Sequence, residues 1–105
     1  MKSNEALSYD DILLSPQYSD IRSRSEIDTS IDLGNNLVLE LPVFSSPMDT
    51  VSESEMAIAL ANNGGAAVIH RYNTIQQQAD VVVTAKTANP QMKIGAAVGV
   101  TGDYL

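Results

Sequence analysis

Three short apolar runs, separated by two segments of helical periodicity, constrain the fold of this chain more than any other feature. The runs span residues 42–46, 66–69 and 93–100, so their starts lie roughly 24 to 27 residues apart. Short apolar strands that alternate with amphipathic helices predict parallel βαβ units, in which each strand is buried on both faces. Three strands cannot bury one another in this way, and Leu105 stands where the next helix should begin. We therefore expect the chain to be the first part of a longer α/β protein.

The two predicted helices have recognisable start and stop signals. Thr50-Val51-Ser52-Glu53 matches a capping box for the first helix, and Gly64-Gly65 supplies its end. Asn73 or Thr74 caps the second helix, which Asn89-Pro90 terminates. We expect each helix to pack on the sheet through its apolar residues at helical spacing. These residues are Met56, Ala59 and Leu60 in the first helix and Ile75, Ala79, Val82 and Val83 in the second.

The N-terminal segment, residues 1–36, shows no sustained periodicity of either kind. Gly34-Asn35-Asn36 has the composition of a turn, and Asp11 to Leu14 is at most a short strand. Because the segment is too long for a connector, we expect it to be extended and to wrap over a larger body. Residues 37–105 then form a second unit with about two βα units and a third strand.

Composition and charge exclude several classes of function. The chain has 6 Lys and Arg residues against 13 Asp and Glu residues, which excludes the basic face that a nucleic-acid partner requires. Because there is no cysteine and only one histidine, a cysteine nucleophile and a thiolate or His-rich metal site are excluded within these residues. The sequence shows neither a signal peptide nor an apolar run of roughly 18 residues, which predicts a cytoplasmic protein with no membrane partner.

In a parallel α/β fold, functional residues lie on the loops after the carboxyl ends of the strands. Such loops are predicted at 45–50, 70–73 and 99–103. The first is the richest, because it places hydroxyls, a thioether and a carboxylate ahead of a helix N-terminus that favours anions. An alternative interpretation makes its hydroxyls helix caps and Met48 a core residue.

Charged residues at other positions give weaker signals. Arg71, after the second strand, suits phosphate because its guanidinium presents donors in a fixed plane. A lone histidine such as His70 is more typical of a structural residue than of a catalyst. Arg22-Ser23-Arg24-Ser25 is either a phosphate-binding loop or a solvated one. Gly95 and Gly99 lie within a strand, so they do not form the glycine-rich turn of a Rossmann fold.

Longer motifs extend along almost the whole chain. They are Leu7-Ser-Tyr-Asp-Asp-Ile-Leu-Leu14, Leu41-Pro-Val-Phe-Ser-Ser-Pro-Met-Asp-Thr-Val51, Met56-Ala-Ile-Ala-Leu60, Gly64-Gly65, Val68-Ile69-His70 and Gly95-Ala-Ala-Val-Gly99. With these motifs the chain resembles the IMP dehydrogenase/GMP reductase family. The SSPMDTV segment is specific, and its position after the first predicted strand fits the family.

The resemblance implies that the chain is the N-terminal portion of a (β/α)8 TIM barrel. The full-length family enzymes are usually homotetramers that bind a purine nucleoside monophosphate at the strand ends. By motif match, Ser46 and Met48 correspond to substrate-binding positions, Ser46 as a hydrogen-bonding group and Met48 as a surface for the base. The family's catalytic cysteine lies on a later loop, so the resemblance implies no catalytic residue, no metal ligand and no turnover within residues 1–105.

Two reactions occur in this family. IMP dehydrogenase oxidises IMP to XMP with NAD and is assisted by a monovalent cation, potassium, whereas GMP reductase uses NADPH to convert GMP to IMP and ammonia. SSPMDTV, Gly64-Gly65 and Gln76-Gln77-Gln78-Ala79 resemble the dehydrogenase. Ser23, Arg24 and Arg71 resemble cofactor-binding positions of the reductase, in which the Ser-Arg pair lies beside NADP(H) of a neighbouring subunit.

A pair of regulatory CBS modules follows the second helix in most dehydrogenases, but here only residues 84–92 separate that helix from the third strand. Reductases and some dehydrogenases also lack this insert. We favour an IMP dehydrogenase, with GMP reductase as the alternative. A second alternative is a non-catalytic truncated remnant that binds an intact homologue. A free-standing βαβαβ binding module is disfavoured by the length of the resemblance.

Overall fold

Five short strands and two α-helices follow one another in the computed structural model, which describes residues 5–102. The strands are β1 (Ile31–Asp32), β2 (Val38–Leu39), β3 (Phe44–Ser45), β4 (Ala66–Ile69) and β5 (Ile94–Ala96), and the helices are α1 (Ser54–Asn62) and α2 (Ile75–Ala88). Two 3-10 turns, Tyr9–Asp11 and Arg24–Glu26, precede them. Within residues 5–102, neither helix has the length and apolar character to cross a bilayer.

The predicted parallel βαβαβ arrangement is confirmed. β4 lies between β3 and β5 and is parallel to both, with Phe44 opposite Ala66 and Val68 opposite Gly95. The crossover from each strand to the next contains a helix, as parallel neighbours require. The strands are shorter than the apolar runs that predict them, since β5 covers only Ile94–Ala96 of 93–100. Within residues 5–102, the outer edges of β3 and β5 have no neighbouring strand.

Both helices pack against the same face of this sheet. Ala67 and Ile69, which alternate onto that face of β4, pack with Ala57 of α1 and Ala85 of α2. Each of these four residues is at most 1% exposed. Small side chains at three of the four positions allow the backbones to approach closely, so the core is built largely from alanine.

The predicted apolar faces of the helices are wrong at several positions. In α2, Ile75 and Val83 are 61% and 62% exposed, and in α1 Met56 is 38% exposed. The prediction is confirmed for Leu60 and Val82, which pack against the core. The other residues that face the core are Ala57, Ile58 and Ala61 in α1 and Gln78, Val81 and Ala85 in α2. Each helix offers two apolar stripes, and the one that contains the small buried alanine packs closest to the sheet. Hydropathy alone does not distinguish these stripes.

The helix boundaries confirm three predicted signals and contradict one. Thr74 caps α2 through a reciprocal box, in which its hydroxyl accepts from Gln77 N at 3.2 Å and Gln77 Oε1 accepts from Thr74 N at 2.9 Å. Gly64, with φ +83°, follows α1, and Asn89 follows α2. The capping box predicted at residues 50–53 is absent, because α1 begins at Ser54 and Glu53 caps it without a side-chain bond.

The N-terminal arm, which we define as residues 5–36, is exposed at every position. The strand predicted near Asp11 is wrong, since a 3-10 turn ends there and Ile12 is extended without a strand partner. Hydrogen bonds of residues 5–27 reach no further than four positions along the chain. Near its end the arm contains β1, which pairs with β2 just beyond the arm in an antiparallel hairpin, and the predicted turn at Gly34-Asn35-Asn36 between them is confirmed by three left-handed residues.

Candidate functional site

The loops after β3, β4 and β5 lie along one edge of the parallel sheet, as the topology requires. Ala97 N donates to Ile69 O at 2.9 Å, which extends the contact between β4 and β5 beyond the strands. A Cβ placed on Gly99 would lie 3.3 Å from Arg71 Nη1, so the second and third loops are in contact. Glu53 and His70 join the first loop to the second.

The first loop is a tight turn from Ser46 to Ser52. Met48 N donates to Ser46 O at 2.8 Å, and Ser52 N donates to Met48 O at 2.9 Å. Ser52 is fully buried, and its hydroxyl is within donating distance of two acceptors, the Ser46 carbonyl and, at 2.6 Å, Ser45 Oγ. A hydrogen bond donated by a buried hydroxyl fixes this turn more firmly than one from an exposed hydroxyl would, because water competes less for it.

Ser46 and Met48 both point away from this anchor into solvent. Met48 is 51% exposed, so it is not a core residue of the described structure. Ser46 is exposed, and its hydroxyl makes no hydrogen bond within residues 5–102. The loop hydroxyls do not act as side-chain caps of α1 either. The turn therefore presents one free hydroxyl and one thioether on a rigid backbone.

His70 is buried at the end of β4, with 2% exposure, and both ring nitrogens have partners. Nδ1 accepts a hydrogen bond from Tyr72 N at 3.1 Å, so the ring proton lies on Nε2. Nε2 then donates to Glu53 Oε1 at 3.0 Å. Because neither nitrogen is free, His70 has the satisfied structural character that the sequence favoured and is not placed to act as a general base.

Gln78 fastens the second and third loops together from the inward face of α2. Its side-chain amide donates to His70 O and to Ala97 O, each at 2.9 Å. These carbonyls lie just beyond β4 and within the loop that follows β5. One amide group with two donors thus satisfies two backbone carbonyls that the short strands leave without partners.

Arg71 and Tyr72 present the exposed part of the second loop. The guanidinium carbon of Arg71 lies 5.9 Å from the centroid of the Tyr72 ring, which is a weak cation–π contact. Within residues 5–102, Arg71 makes no ion pair with a carboxylate. An unneutralised guanidinium beside an exposed aromatic ring can bind an anionic group attached to a planar one.

Ser23 and Arg24 lie far along the chain from these loops, on the arm. Ser23 is the N-cap of the turn Arg24–Glu26, where its hydroxyl accepts from Ser25 N at 3.3 Å. Within the described residues, no hydrogen bond or ion pair links Ser23 or Arg24 to residues 37–102. The structure therefore does not bring these two residues to the edge that holds Ser46, Met48 and Arg71.

The sequence reasoning missed the residues that hold the loops in place. The sequence pattern predicts Ser52 and Glu53 as part of a helix cap and gives Gln78 no role beyond a family-like motif. One signal was available for Gln78, since its position i, i+4 and i+7 with Val82 and Ala85 places an amide on the helix face that contacts the sheet. No sequence signal pairs Glu53 with His70, because they are 17 positions apart along the chain and only the fold brings them together.

The arrangement is suited to binding and not to bond breaking. It offers a hydroxyl, a thioether, a guanidinium and an aromatic ring, while its only imidazole is fully engaged. Among residues 5–102, no cluster of three or more His, Cys, Asp or Glu side chains could hold a metal ion. An elongated ligand with a polar end, a flat apolar part and an anionic group matches these donors.

Comparison with known proteins identifies the family. The family described as the IMP dehydrogenase / GMP reductase domain matches residues 6–105. The chain is 47% identical over 92 residues to the inosine-5'-monophosphate dehydrogenase of Nitrosopumilus maritimus, covering 88% of this chain and 19% of that protein. It is 49% identical over 86 residues to the enzyme of the same name from Bifidobacterium longum, covering 82% of this chain and 16% of that protein.

A relative with the other family name is similar to nearly the same extent. The chain is 43% identical over 84 residues to the GMP reductase of Leishmania donovani, covering 80% of this chain and 17% of that protein. The chain thus spans less than one fifth of the length of each of these relatives. The match over residues 6–105 and these identities show that the chain belongs to the IMP dehydrogenase/GMP reductase family.

Proposed function

We propose that residues 1–105 form the opening portion of a (β/α)8 barrel in an oxidoreductase that acts on purine nucleoside monophosphates. One observation carries the proposal: Ser46 and Met48 are exposed on a turn whose backbone is anchored by buried Ser52, at the carboxyl edge of a parallel sheet. This is the edge at which parallel α/β folds bind their ligands. Family membership supplies the class of ligand.

Each exposed group has a task in this proposal. The Ser46 hydroxyl, which makes no hydrogen bond within residues 5–102, binds a polar group of the nucleotide. The Met48 thioether is polarisable and flexible, which suits it to pack on the face of a purine. Arg71, which has no carboxylate partner in the described part of the chain, binds a phosphate group of the dinucleotide cofactor.

The unpaired edges and the exposed face of the sheet are further support for a larger barrel. The outer edges of β3 and β5 have no neighbouring strand within residues 5–102. Phe44, on the face opposite the helices, is 48% exposed. Further strands on both sides would satisfy the free backbone groups at these edges and bury this face, as parallel strands generally require.

We favour the oxidation of IMP with NAD over the reduction of GMP with NADPH. Support comes from the identities of 47% and 49% to two dehydrogenases, against 43% to the reductase. NAD, when bound, accepts the hydride removed from the purine, and the residues of this chain only hold the two ligands. The alternative, GMP reductase, is favoured by Ser23, Arg24 and Arg71, because the guanidinium groups of Arg24 and Arg71 suit the extra phosphate of NADPH.

Other features of the family stay proposals for this chain. The homotetramer and the cytoplasmic location belong to the proposed enzyme as a whole. The monovalent cation of a dehydrogenase finds no acidic or histidine cluster among residues 5–102, and we assign no step to it. Because the chain contains no cysteine, we expect residues 1–105 alone to produce neither XMP nor IMP. Production of either nucleotide by the purified chain would contradict this expectation.

A chimeric enzyme tests the proposal. Residues 1–105 replace the matching segment of the Nitrosopumilus maritimus dehydrogenase, and IMP-dependent formation of NADH and GMP-dependent oxidation of NADPH are measured. We expect turnover of IMP, and about a tenfold higher KM for IMP in Ser46→Ala through the loss of one hydrogen bond. Ser15→Ala, an exposed serine of the arm, is the matched control and should leave the KM unchanged.

The outcomes separate the two reactions. A chimera that turns over GMP with NADPH and not IMP with NAD would favour the reductase. A folded chimera that turns over neither nucleotide would contradict the proposal. Equal KM values for Ser46→Ala and Ser15→Ala would remove Ser46 from the binding site.

A further inference from the structure

We propose that His70 is a positioning residue that holds the three loops at the sheet edge in fixed register. By doing so it sets the spacing between the turn that carries Ser46 and Met48 and the loop that carries Arg71. This inference rests on the proposed function, because it assigns those loops to the nucleotide and the cofactor. It concerns a residue that touches neither ligand and acts only through its neighbours.

Three separate groups of His70 bond to three parts of the fold. Nε2 donates to Glu53 at the N-terminus of α1, and Nδ1 accepts from the backbone of Tyr72 in its own loop. The carbonyl oxygen accepts from Gln78 of α2, whose amide also binds Ala97 O in the loop after β5. One buried residue therefore connects the loops after β3, β4 and β5.

The connection from Met48 to Arg71 is short. Ser52 N donates to Met48 O at 2.9 Å, and Glu53 is the next residue in the chain. Glu53 Oε1 lies 3.0 Å from His70 Nε2, and Arg71 is the next residue after His70. Two hydrogen bonds and short stretches of backbone thus separate the proposed base contact from the proposed phosphate contact, which leaves little freedom in their spacing.

The type of side chain matters as much as its volume. A leucine at position 70 would fill the same space but would leave Tyr72 N and the Glu53 carboxylate without this partner. Imidazole is the side chain whose neutral form accepts on one ring nitrogen and donates on the other. The histidine is 2% exposed, so water reaches its ring poorly, whereas the Glu53 side chain is 57% exposed and keeps contact with solvent beside the bond.

The first test uses the 105-residue chain, in which His70 is the only histidine, so the imidazole ¹⁵N spectrum contains a single residue. We expect the neutral ring to be protonated on Nε2. Glu53→Ala should shift the imidazole signals and the amide resonances of both Met48 and Tyr72. Glu55→Ala, an exposed carboxylate in the first turn of the same helix, is the matched control and should shift none of them.

Several results would overturn the inference. A ring protonated on Nδ1, or a Glu53→Ala variant whose Tyr72 amide resonance is unmoved, would show that the connection is absent. A chain without dispersed amide resonances would do the same, because the network would not form in this chain. None of these results depends on whether a nucleotide binds.

The second test uses the chimeric enzyme. Glu53→Ala should raise the KM for the purine nucleotide about tenfold, the change expected for one hydrogen bond to a charged group. Glu53→Gln keeps an oxygen that accepts from Nε2 and should restore a KM close to that of the parent chimera. A merely structural role would lower the melting temperature of both variants without separating their KM values.

The two proposals fail in different ways. If the parent chimera turns over neither nucleotide, the proposed function is contradicted, whereas the ¹⁵N spectrum of the chain still decides whether His70 joins the loops. If the parent is active and Glu53→Ala has the same KM as Glu55→Ala, the positioning role is contradicted and the proposed function stands.

Discussion

The N-terminal arm and the sheet unit, which we define as residues 37–102, differ in how far their apolar side chains are exposed to solvent. The arm leaves large apolar residues in solvent, with Leu13 97% and Leu14 99% exposed. The sheet unit buries mainly small ones, including Ala67 at 1% exposure. Hydrophobicity is therefore not sufficient for burial. A residue is buried where strand or helix periodicity collects apolar positions on one face and a second element packs against that face.

The largest expected effect comes from removing a buried side chain of the sheet unit. Ile69 of β4 is fully buried in the core that both helices cover, and Ile69→Ala should lower the free energy of unfolding by about 2–5 kcal/mol. Leu13→Ala removes a similar apolar volume from the arm and should change it by less than about 0.5 kcal/mol. Urea unfolding followed by circular dichroism measures both. Similar losses in the two variants would show that the arm is packed against something in solution.

Two glycines with similar backbone angles test how tightly each region is packed. Gly64 has φ +83°, and a Cβ added there would lie 2.7 Å from Glu40 Cβ. Gly34 of the arm has φ +85°, and a Cβ added there would have open space around it to 4 Å. Gly34→Ala should cost about 1–2 kcal/mol of unfolding free energy from backbone strain alone. Gly64→Ala adds a steric clash and should cost roughly 1–3 kcal/mol more. Equal urea midpoints for the two variants would contradict the packing at Gly64.

Helix caps give a smaller difference between the regions. Thr74→Ala removes the side-chain cap of α2 and should lower the free energy of unfolding by about 1 kcal/mol. Ser8→Ala removes the equivalent serine before the 3-10 turn of the arm, which contributes no buried residue. That variant should leave global stability unchanged. A thermal melt of each variant decides this, and a clear loss for Ser8→Ala would assign the arm to the cooperative unit.

The smallest effect is a local response of the arm to pH. The backbone N–H and the hydroxyl of Ser8 donate to the Asp11 carboxylate at 2.9 and 3.0 Å and lower the pKa of Asp11. A lowered pKa means that these bonds stabilise the turn at neutral pH and are lost as the pH falls through that pKa. The amide proton shift of Ser8, followed by NMR during acidification, should move with the Asp11 titration. In Ser8→Ala the pKa of Asp11 should rise, and an unchanged titration would contradict the hydroxyl contact.

Local chemistry explains which parts of the fold could be predicted from the sequence. The order of strands and helices, the cap at Thr74 and the left-handed Gly64 depend on neighbouring residues, so their signals are present in short windows of sequence. The cap predicted at Thr50 failed because Ser52 and Glu53 bond instead to Ser46 and His70, and those partners are set by the tertiary fold. The prediction that Ile75 and Val83 of α2 face the core is wrong for the same reason, because the tertiary fold decides which face of the helix meets the sheet.

The residues of the candidate site also differ in whether the sequence could predict them. Ser46, Met48 and Arg71 could be singled out because they stand where a strand ends, and the structure places all three on exposed loops of one sheet edge. Their roles toward a ligand stay predictions. The residues that support them, Ser52, Glu53 and Gln78, could not be assigned, since each acts on a partner that the sequence does not show to be near it.

The three bonds of His70 also limit how this sheet edge can be re-engineered. A loop that carries His70 and is transplanted alone would bring the Tyr72 amide with it but not the Glu53 carboxylate or the Gln78 side-chain amide. Grafts that carry Glu53, His70 and Gln78 together with the loops should therefore keep their geometry, whereas single-loop grafts should not. For recombination among relatives, we therefore expect the segment from Ser45 to Ala97 to keep its geometry best when it is exchanged as one block.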